Sequence, residues 1–362
     1  MKLSTTAAWV SAVLVPAIQA YPGMNNTLLA QLKEKDSSKT GELIGDLLYL
    51  HPSEYSALSH LIKAILVDGA DAQSYERYGY IPPLYSSACE RDTCCVWSYI
   101  AKDMESHFRE QTGQCSDAAR GAIRLGFHDA GTWSKYTGQH GGADGSIVHA
   151  PEEVTRRANY GLEEIIQQYK VWYDRWSGFG VSMADLIQMG ANVATVVCPL
   201  GPRIRSFVGR RDSYLAAPEG LLPSPFDEAE ALIELFRAKT IEPAVLAALL
   251  GAHSTSRQRF VDPNFAGFPQ DSTPGVWDVL FYPQTLGQGS PDIYRFQSDV
   301  ILAEHPTMFP AFKAFAGPDG QEFWDFAYAR AYVRLSLLGV YNINNLTDCT
   351  RVLPERTYDW SE

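Results

Sequence analysis

Apolar residues recur along most of the chain at the spacing of one helical face. Leu58, Leu61, Ile62, Ile65 and Leu66 follow the i, i+3, i+4, i+7, i+8 pattern, which predicts an amphipathic helix. Similar patterns predict further helices over residues 95–111, 116–127, 159–173, 183–197, 228–239, 241–250, 295–305 and 321–338. Alternating strand patterns are few and short, so we expect a mainly α fold.

Several polar residues stand where these helices should begin. Ser116 or Asp117 is the expected N-cap of the helix over 116–127. Ser182–Asp185 has the form of a capping box ahead of a long apolar helix that ends at Val197. Asp227 and Thr240 are the expected caps of the two helices that follow.

Composition describes a folded, acidic chain. Of 362 residues, 46% are hydrophobic and 20% charged, which excludes a disordered protein. The formal net charge of −12 argues against a nucleic-acid binder, which needs clustered cations. Residues 200–225 and 260–294 are rich in Pro, Gly, Asp and Ser and are predicted loops. A domain boundary is expected near residue 220.

The N-terminus has the features of a secretory signal. Lys2 precedes a short apolar stretch from Ala7 to Ala17, and Ala20 offers a small residue for cleavage. Residues 1–20 are therefore predicted to be a signal peptide; a buried N-terminal helix is the alternative. No later apolar run is long enough for a membrane span, so we expect a secreted, extracellular protein. Glycosylation sequons begin at Asn25 and Asn345.

The cysteine count agrees with an oxidising compartment. Six cysteines in a secreted chain predict three disulfides, with 15 conceivable connectivities. Cys94 and Cys95 are adjacent, so each must have a different partner. The chain lacks the CxxC and paired-histidine spacings that would favour zinc.

Two histidines stand out from the eight. Arg124 and His128 are four residues apart on one predicted helix and share a face. His253 ends an Ala/Leu-rich helix and follows Gly251 and Ala252, small residues that would let a flat group approach. Each histidine, taken alone, is better explained by an ordinary structural role.

A loop rich in oxygen ligands accompanies each of these histidines. Asp129 follows His128, and Gly142–Ser146 comes soon after; Ser254 follows His253, and Asp271–Asp278 comes soon after. Carboxylates, hydroxyls and turn carbonyls are the ligands that Ca²⁺ prefers. A single loop of this kind is usually a solvated turn, but two beside histidines predict two calcium sites.

These motifs, in this order and spacing, resemble the secreted fungal class II haem peroxidases of the plant-type superfamily. The resemblance covers about three quarters of the chain and rests on Arg124–Asp129, Gly141–Ser146, Ala252–Ser254, Asp271–Asp278, Gln297–Asp299 and Thr347–Cys349. It implies two mainly helical domains with one haem b between them. The implied divisions are a helical extension of unknown role, a distal domain, a proximal domain and a tail, over residues 21–88, 89–220, 221–354 and 355–362.

The resemblance also implies roles on the distal side of the haem. His128 would be the acid–base residue that moves a proton of hydrogen peroxide, and Arg124 would stabilise the charge that develops. Asn159 would orient His128, and Glu153 would hold Asn159. Phe127 would line the haem, where intracellular members of the superfamily carry Trp.

On the proximal side, the resemblance makes His253 the iron ligand and Asp299 the acceptor of its other ring N–H. The implied calcium ligands are Asp129, Gly142, Asp144 and Ser146 at one site, and Ser254, Asp271, Thr273, Val276 and Asp278 at the other. The implied disulfides are Cys89–Cys95, Cys94–Cys349 and Cys115–Cys198.

The chain departs from the family at the positions that select electron donors. Manganese-oxidising members use three carboxylates, whose matching positions are Asp117, Gly121 and Arg259. Ala248 replaces the surface Trp of lignin-oxidising members, and Gln270 stands where the family often has Phe. Other tryptophans offer a route for electrons, with core packing as the alternative: Trp133, Trp172, Trp176, Trp277 and Trp324.

The sequence therefore predicts a monomeric extracellular haem peroxidase that oxidises small phenolic or dye-like donors with hydrogen peroxide and is a poor oxidant of Mn(II). A secreted haem- and calcium-binding protein without turnover is the alternative, although haem storage would need neither Arg124 nor His128. A calcium-dependent adhesion protein without haem is a weaker third hypothesis.

Overall fold

The structure is a computed structural model that describes residues 42–287 and 290–360. The described chain is mainly helical, as the sequence predicted. Its helices are α1 (Ala57–Val67), α2 (Ser87–Glu90), α3 (Thr93–Phe108), α4 (Asp117–Ala130), α5 (Ser146–His149), α6 (Pro151–Val154), α7 (Glu163–Trp176), α8 (Met183–Val197), α9 (Ala229–Arg237), α10 (Pro243–Leu250), α11 (Phe281–Leu286), α12 (Gln297–Glu304), α13 (Phe309–Phe315) and α14 (Gly320–Leu335).

Two short strands pair a segment near the C-terminus with a segment in the middle of the chain. Strand β1 (Phe207–Val208) pairs with β2 (Thr347–Asp348) in antiparallel register, Phe207 opposite Asp348. Within residues 42–287 and 290–360, no helix is long and apolar enough to cross a membrane. The predicted signal peptide over 1–20 and the sequon at Asn25 lie outside the described residues, whereas Asn345 is exposed.

Helix α8 forms the centre of the core. Every residue from Met183 to Val197 is buried, including the polar Asp185, Gln188 and Asn192. Helix α4 packs against it, and Gly126 allows the close approach, because a Cβ there would lie 2.7 Å from the Cβ of Ala191. This packing fixes the helix that carries Arg124 and His128 to a fully buried helix.

The structure confirms some of the predicted caps. The Ser116 hydroxyl accepts a hydrogen bond from the amide of Ala119 at the start of α4. The Ser182 hydroxyl likewise accepts from the amide of Asp185. The carboxylate of Asp185 does not complete a capping box, because it accepts from the amide of Gly209 and pairs with Arg210 at 3.0 Å.

Three predicted helix starts are wrong. Asp227 precedes the N-cap of α9 and accepts instead from the amide of Ser224. Thr240 has φ of 62° and ends the preceding turn, while α10 begins at Pro243. Asn159 lies in a 3₁₀ turn before α7 rather than inside it. The Asp227 carboxylate and the Thr240 hydroxyl bond to other groups, Ser224 and Arg334. A capping pattern in the sequence does not show such competing partners.

Five short helices were not predicted: α2, α5, α6, α11 and α13. Both α11 and α13 carry a proline in the first turn, Pro283 and Pro310 respectively. Proline is tolerated there because the amide at that position has no partner within the helix. The Pro-rich composition of residues 260–294 therefore concealed a short helix in a predicted loop.

The N-terminal extension is packed against the remainder of the protein from residue 42 onwards. The fully buried guanidinium of Arg203 donates to the carbonyls of Ser74 and Glu76 in the extension and also to those of Thr350, Leu353 and Pro354. Arg334 of α14 donates to the carbonyls of Glu42 and Leu66. These contacts attach the extension firmly to the rest of the described chain; the domain boundaries at 88, 220 and 354 stay predictions.

Three disulfides join the six cysteines in the pairing that the resemblance implied. Cys115–Cys198 links the segment before α4 to the residue after α8. The other two bonds are Cys89–Cys95 and Cys94–Cys349.

Candidate active site

The end of α4 brings an imidazole, an amide and a guanidinium together. The Nδ1 atom of His128 lies 2.9 Å from the Oδ1 atom of Asn159, whose Nδ2 donates to the main-chain carbonyl of Glu153 at 2.8 Å. Because the amide presents its oxygen, Nδ1 of His128 must donate the hydrogen bond, which leaves a lone pair on Nε2. Glu153 thus holds Asn159 through its backbone, while its carboxylate accepts from the amide of Ala217.

Arg124 is held beside that lone pair. Its Nε donates to His128 Nε2 at 3.3 Å, and its terminal nitrogens donate to the carbonyls of Tyr160 and Ala158 at 2.9 and 3.1 Å. Burial, together with the charge of Arg124, lowers the pKa of His128 to about 3. The hydrogen bond to Asn159 raises this pKa but does not outweigh those two effects. His128 is therefore a neutral base over the ordinary pH range.

Phe127 lies next to this group. Its ring stacks on Phe236, with centroids 6.1 Å apart, and meets the His128 ring edge-on at 5.5 Å. The ring thus packs between α9 and the histidine, and its predicted contact with haem stays a prediction.

His253 forms the second half of the site. It lies in the 3₁₀ turn Gly251–Thr255 after α10, and its Nδ1 donates to the buried Asp299 Oδ2 at 2.8 Å. Burial lowers the pKa of His253, but the charge and hydrogen bond of Asp299 outweigh it and raise the pKa overall. Rings of Phe281 and Phe296 meet the imidazole edge-on at 5.7 and 5.5 Å.

The remaining ring nitrogen of His253 fits an iron ligand. Within the described residues Nε2 has no hydrogen-bond partner, and 33% of the side chain is exposed although Asp299 beneath it is buried. A carboxylate on the other nitrogen fixes the tautomer and increases ligand basicity. The charge of Arg124 also lowers the pKa of His253, so this guanidinium acts on both imidazoles.

The distal calcium motif comes together beside His128. Asp129 is buried; its Oδ2 accepts from the amide of Gly145 at 3.2 Å, while its Oδ1 has no partner. Burial and the neighbouring charge of Asp144 raise the pKa of Asp129 well above its usual range. Ser146 lies within hydrogen-bonding reach of Asp144, and the carbonyl of Gly142 accepts from the Asp144 amide. An orphaned buried carboxylate oxygen beside a second carboxylate fits a cation.

The proximal motif has the same character. The Oγ of Ser254 and the Oδ2 of Asp271 are buried and lack partners among the described residues. Burial, with the charge of Asp278 second, raises the pKa of Asp271 to about 8. Thr273 Oγ1 donates to Asp278 Oδ2 at 2.6 Å, and Val276 lies in the same turn, with its amide bonded to the Thr273 carbonyl.

No group of three or more His, Cys, Asp or Glu side chains that could hold a metal occurs in the described part of the chain. Each predicted calcium site accordingly has two carboxylates, and hydroxyl and carbonyl oxygens would have to complete it. Such ligand sets are within the range that Ca²⁺ accepts.

The positions that match the manganese site are not arranged for a metal. A terminal nitrogen of Arg259 lies 3.2 Å from a carboxylate oxygen of Asp117, so the two side chains form an ion pair. Gly121 faces α7, since a Cβ there would lie 3.2 Å from the Cβ of Ile165. A cation thus stands where a manganese ion would need oxygen ligands.

The small residues before His253 admit protein rings. A Cβ at Gly251 would lie 2.4 Å from both Trp324 Nε1 and the hydroxyl of Tyr282, so those two side chains are flat groups that approach this backbone. Ala248 is fully buried and its carbonyl accepts from Trp324 Nε1. Its position therefore does not reach the surface in this chain.

Gln270 and the tryptophans that were considered as a route for electrons also lie in the core. Gln270 is buried and accepts a hydrogen bond from the Ser256 hydroxyl. The rings that pack against His253 belong to Phe281 and Phe296, and the sequence did not indicate these two residues. The candidate tryptophans are all buried, as the core-packing alternative held: Trp133, Trp172, Trp176, Trp277 and Trp324.

Comparisons with known proteins find a matching family and similar sequences. The sequence model of the family described as peroxidase matches residues 100–317. A low-redox potential peroxidase of Taiwanofungus camphoratus is 33% identical over 278 residues, covering 72% of this chain and 78% of that protein. Ligninase C of Trametes versicolor is 32% identical over 288 residues, covering 72% and 75%. A peroxidase of Arthromyces ramosus is 31% identical over 283 residues, covering 72% and 76%.

Proposed function

The chain belongs to the peroxidase family, in its fungal class II branch, and we propose that Arg124, His128 and Asn159 carry out its reaction with hydrogen peroxide while His253 binds the haem iron. Members of this family are haem enzymes that oxidise donors at the expense of peroxide. The observation that carries the residue assignment is the pair of imidazoles. Each has Nδ1 hydrogen-bonded, to Asn159 in His128 and to Asp299 in His253, and Nε2 of His128 keeps its lone pair beside Arg124.

A bound haem would supply the electrons that reduce the peroxide O–O bond. His128 Nε2 would accept a proton from one oxygen of hydrogen peroxide and return it to the other oxygen, which leaves as water. Arg124 donates hydrogen bonds to the charge that develops on the departing oxygen. Asn159 keeps the proton of the imidazole on Nδ1, so that Nε2 stays the base.

Support on the other side comes from Asp299 and from calcium. His253 would bind the iron through Nε2, and Asp299 would accept the Nδ1 proton and give the ligand anionic character. We assign one haem b and two calcium ions. One ion would be held by Asp129, Gly142, Asp144 and Ser146, and the other by Ser254, Asp271, Thr273, Val276 and Asp278. Each ion would anchor the residue that follows a catalytic or ligating histidine.

The donors that we propose are small phenols or dye-like aromatics. The ion pair of Arg259 with Asp117 opposes Mn(II) binding, and the buried Ala248 offers no oxidisable side chain at the surface. We further propose that the protein is secreted, monomeric and glycosylated at the exposed Asn345.

Turnover of a small phenol tests the assignment. Purified holoenzyme should oxidise 2-methoxyphenol with hydrogen peroxide, and His128→Leu should retain the haem but lose most of the rate. His51→Leu is a matched control, because His51 is exposed and bonds to Ser53 rather than to the site. Equal rates in the parent and His128→Leu would refute the role of His128.

A further inference from the structure

A pocket lies where the start of α4 meets the chain that follows His253. It has a volume of about 270 Å³, and its lining includes Arg120, Arg257, Glu110, Gln114 and Pro274. Arg124 and His128 stand on the same helix, about 10 and 16 Å beyond Asp117 at 1.5 Å per residue. The pocket is thus connected to the active site through two segments that both bear catalytic or ligating residues.

Arginines outnumber carboxylates around this pocket. Residue 257 pairs with Pro269 as an extended bridge, so Arg257 and Arg259 point to one face while the intervening Gln258 is buried. Arg120 and Arg259 both engage Asp117. Three guanidinium groups therefore share Asp117 and Glu110, in a protein whose net charge is −12.

Arg257 is the least compensated of the three cations. Within the described residues it forms one hydrogen bond, to the carbonyl of Gly267 at 3.1 Å, although a guanidinium has five N–H donors. Burial, followed by the charge of Arg120, lowers its pKa despite the opposing charge of Asp117. The lining thus offers unused donors and an excess of positive charge.

Exposed aromatic rings continue from these arginines towards the active site. Phe260 follows Arg259, and its ring lies 6.5 Å from that of Tyr160; the two residues are 57% and 45% exposed. A Cβ on Gly161 would lie 2.5 Å from the Phe260 ring and 3.4 Å from a terminal nitrogen of Arg124. The Phe260 ring and the Arg124 guanidinium therefore both lie close to the backbone of Gly161.

We propose that this pocket binds the carboxylate of small phenolic acids, with Arg257 as its principal cation and the Phe260 ring beside the aromatic part. The inference rests on the proposed function, because it names the donors that the peroxidase would favour. A guanidinium matches a carboxylate with two parallel hydrogen bonds, and an aromatic face adds stacking. Phenolic acids combine both groups in one small molecule.

The first experiment measures binding without turnover. 4-Methoxycinnamate and its methyl ester are titrated against the holoenzyme without peroxide, and binding is followed by ligand-observed NMR. The acid should bind the parent enzyme about tenfold more tightly than the ester, the effect of one charge-assisted hydrogen bond. Added salt should weaken the binding of the acid only. Arg257→Gln should abolish the preference, and Arg259→Gln should reduce it.

The second experiment uses matched donors. As a donor, 4-hydroxycinnamate should show a KM about tenfold lower than its methyl ester shows, and Arg257→Gln should remove this ratio. Arg91→Gln removes the same charge from an exposed residue that does not line the pocket, and should keep the ratio.

The outcomes separate the two proposals. Turnover of both donors with equal KM, or a ratio that Arg257→Gln and Arg259→Gln leave intact, would overturn the pocket alone. Failure to oxidise either donor would overturn the proposed function, and the NMR preference would still decide whether the pocket binds carboxylates. Loss of the preference in Arg91→Gln would show a general charge effect and would also overturn it.

Discussion

Replacing Asn159 by Asp should change the pH dependence of the peroxide reaction. Asn159 now presents a neutral oxygen 2.9 Å from His128 Nδ1, and the pKa of His128 is about 3. A carboxylate about 4 Å away contributes roughly 4 kcal/mol at an effective dielectric near 20. At 1.36 kcal/mol per pKa unit, this should raise the pKa of His128 by about three units.

The raised pKa has a defined consequence for the base. The parent enzyme should react with peroxide at a rate that is constant above about pH 4, because His128 is then neutral. In Asn159→Asp the rate should fall about tenfold for each pH unit below an inflection near pH 6, since the imidazolium has no lone pair on Nε2. Rapid-mixing measurements of the haem absorbance between pH 4 and 8 give both profiles.

Asn159→Leu is the matched control. It removes the hydrogen bond to Nδ1 without adding charge, so the rate should fall at every pH and no inflection near pH 6 should appear. A flat profile for Asn159→Asp, at the parent rate, would refute the proposal that Asn159 sets the tautomer and the pKa of His128.

The remaining predictions concern the iron ligand, the calcium ions and the donors. His253→Ala should lose or misligate the haem, because one protein bond would hold the iron; an unchanged haem content and spectrum would contradict this. Chelation should lower the melting temperature more at pH 8 than at pH 5. In the folded, metal-free state the pKa of Asp271 is about 8, above its value in the unfolded chain. The free energy of unfolding of that state therefore falls by up to about 1.4 kcal/mol per pH unit as pH rises from about 4 to about 8. A metal-free protein whose unfolding is independent of pH over that window would refute the role of Asp271. Mn(II) should be oxidised far less efficiently than 2-methoxyphenol, and Arg259→Asp should narrow the difference by removing the cation beside Asp117; saturable, efficient Mn(II) oxidation by the parent would contradict the account.

The sequence predicts those parts of the site that depend on residue type and local spacing. Arg124 and His128 fall on one face because α4 is a regular helix, and Ser116 caps it as its position suggested. The pairing of His253 with Asp299 could be expected only from the resemblance, since 46 residues separate them in the chain. Long-range partners of this kind are set by packing rather than by periodicity.

Other features follow from main-chain groups or from tertiary contacts, which residue type does not disclose. Every residue has a carbonyl, so nothing in the sequence indicates that Asn159 bonds to the backbone of Glu153 rather than to its carboxylate. Asp227 carries a cap signal but serves a neighbouring turn. Gly251 indicated that a flat group comes close, yet not that Trp324 and Tyr282 would be those groups.

The central claim is that His128 is the base that reacts with hydrogen peroxide, and one measurement tests it most directly. The rate of the haem absorbance change after mixing with peroxide is compared between the parent and His128→Leu, at equal haem content. Loss of a positioned general base predicts a rate lower by about 10²–10⁴-fold. A His128→Leu rate within a factor of about two of the parent would contradict the account.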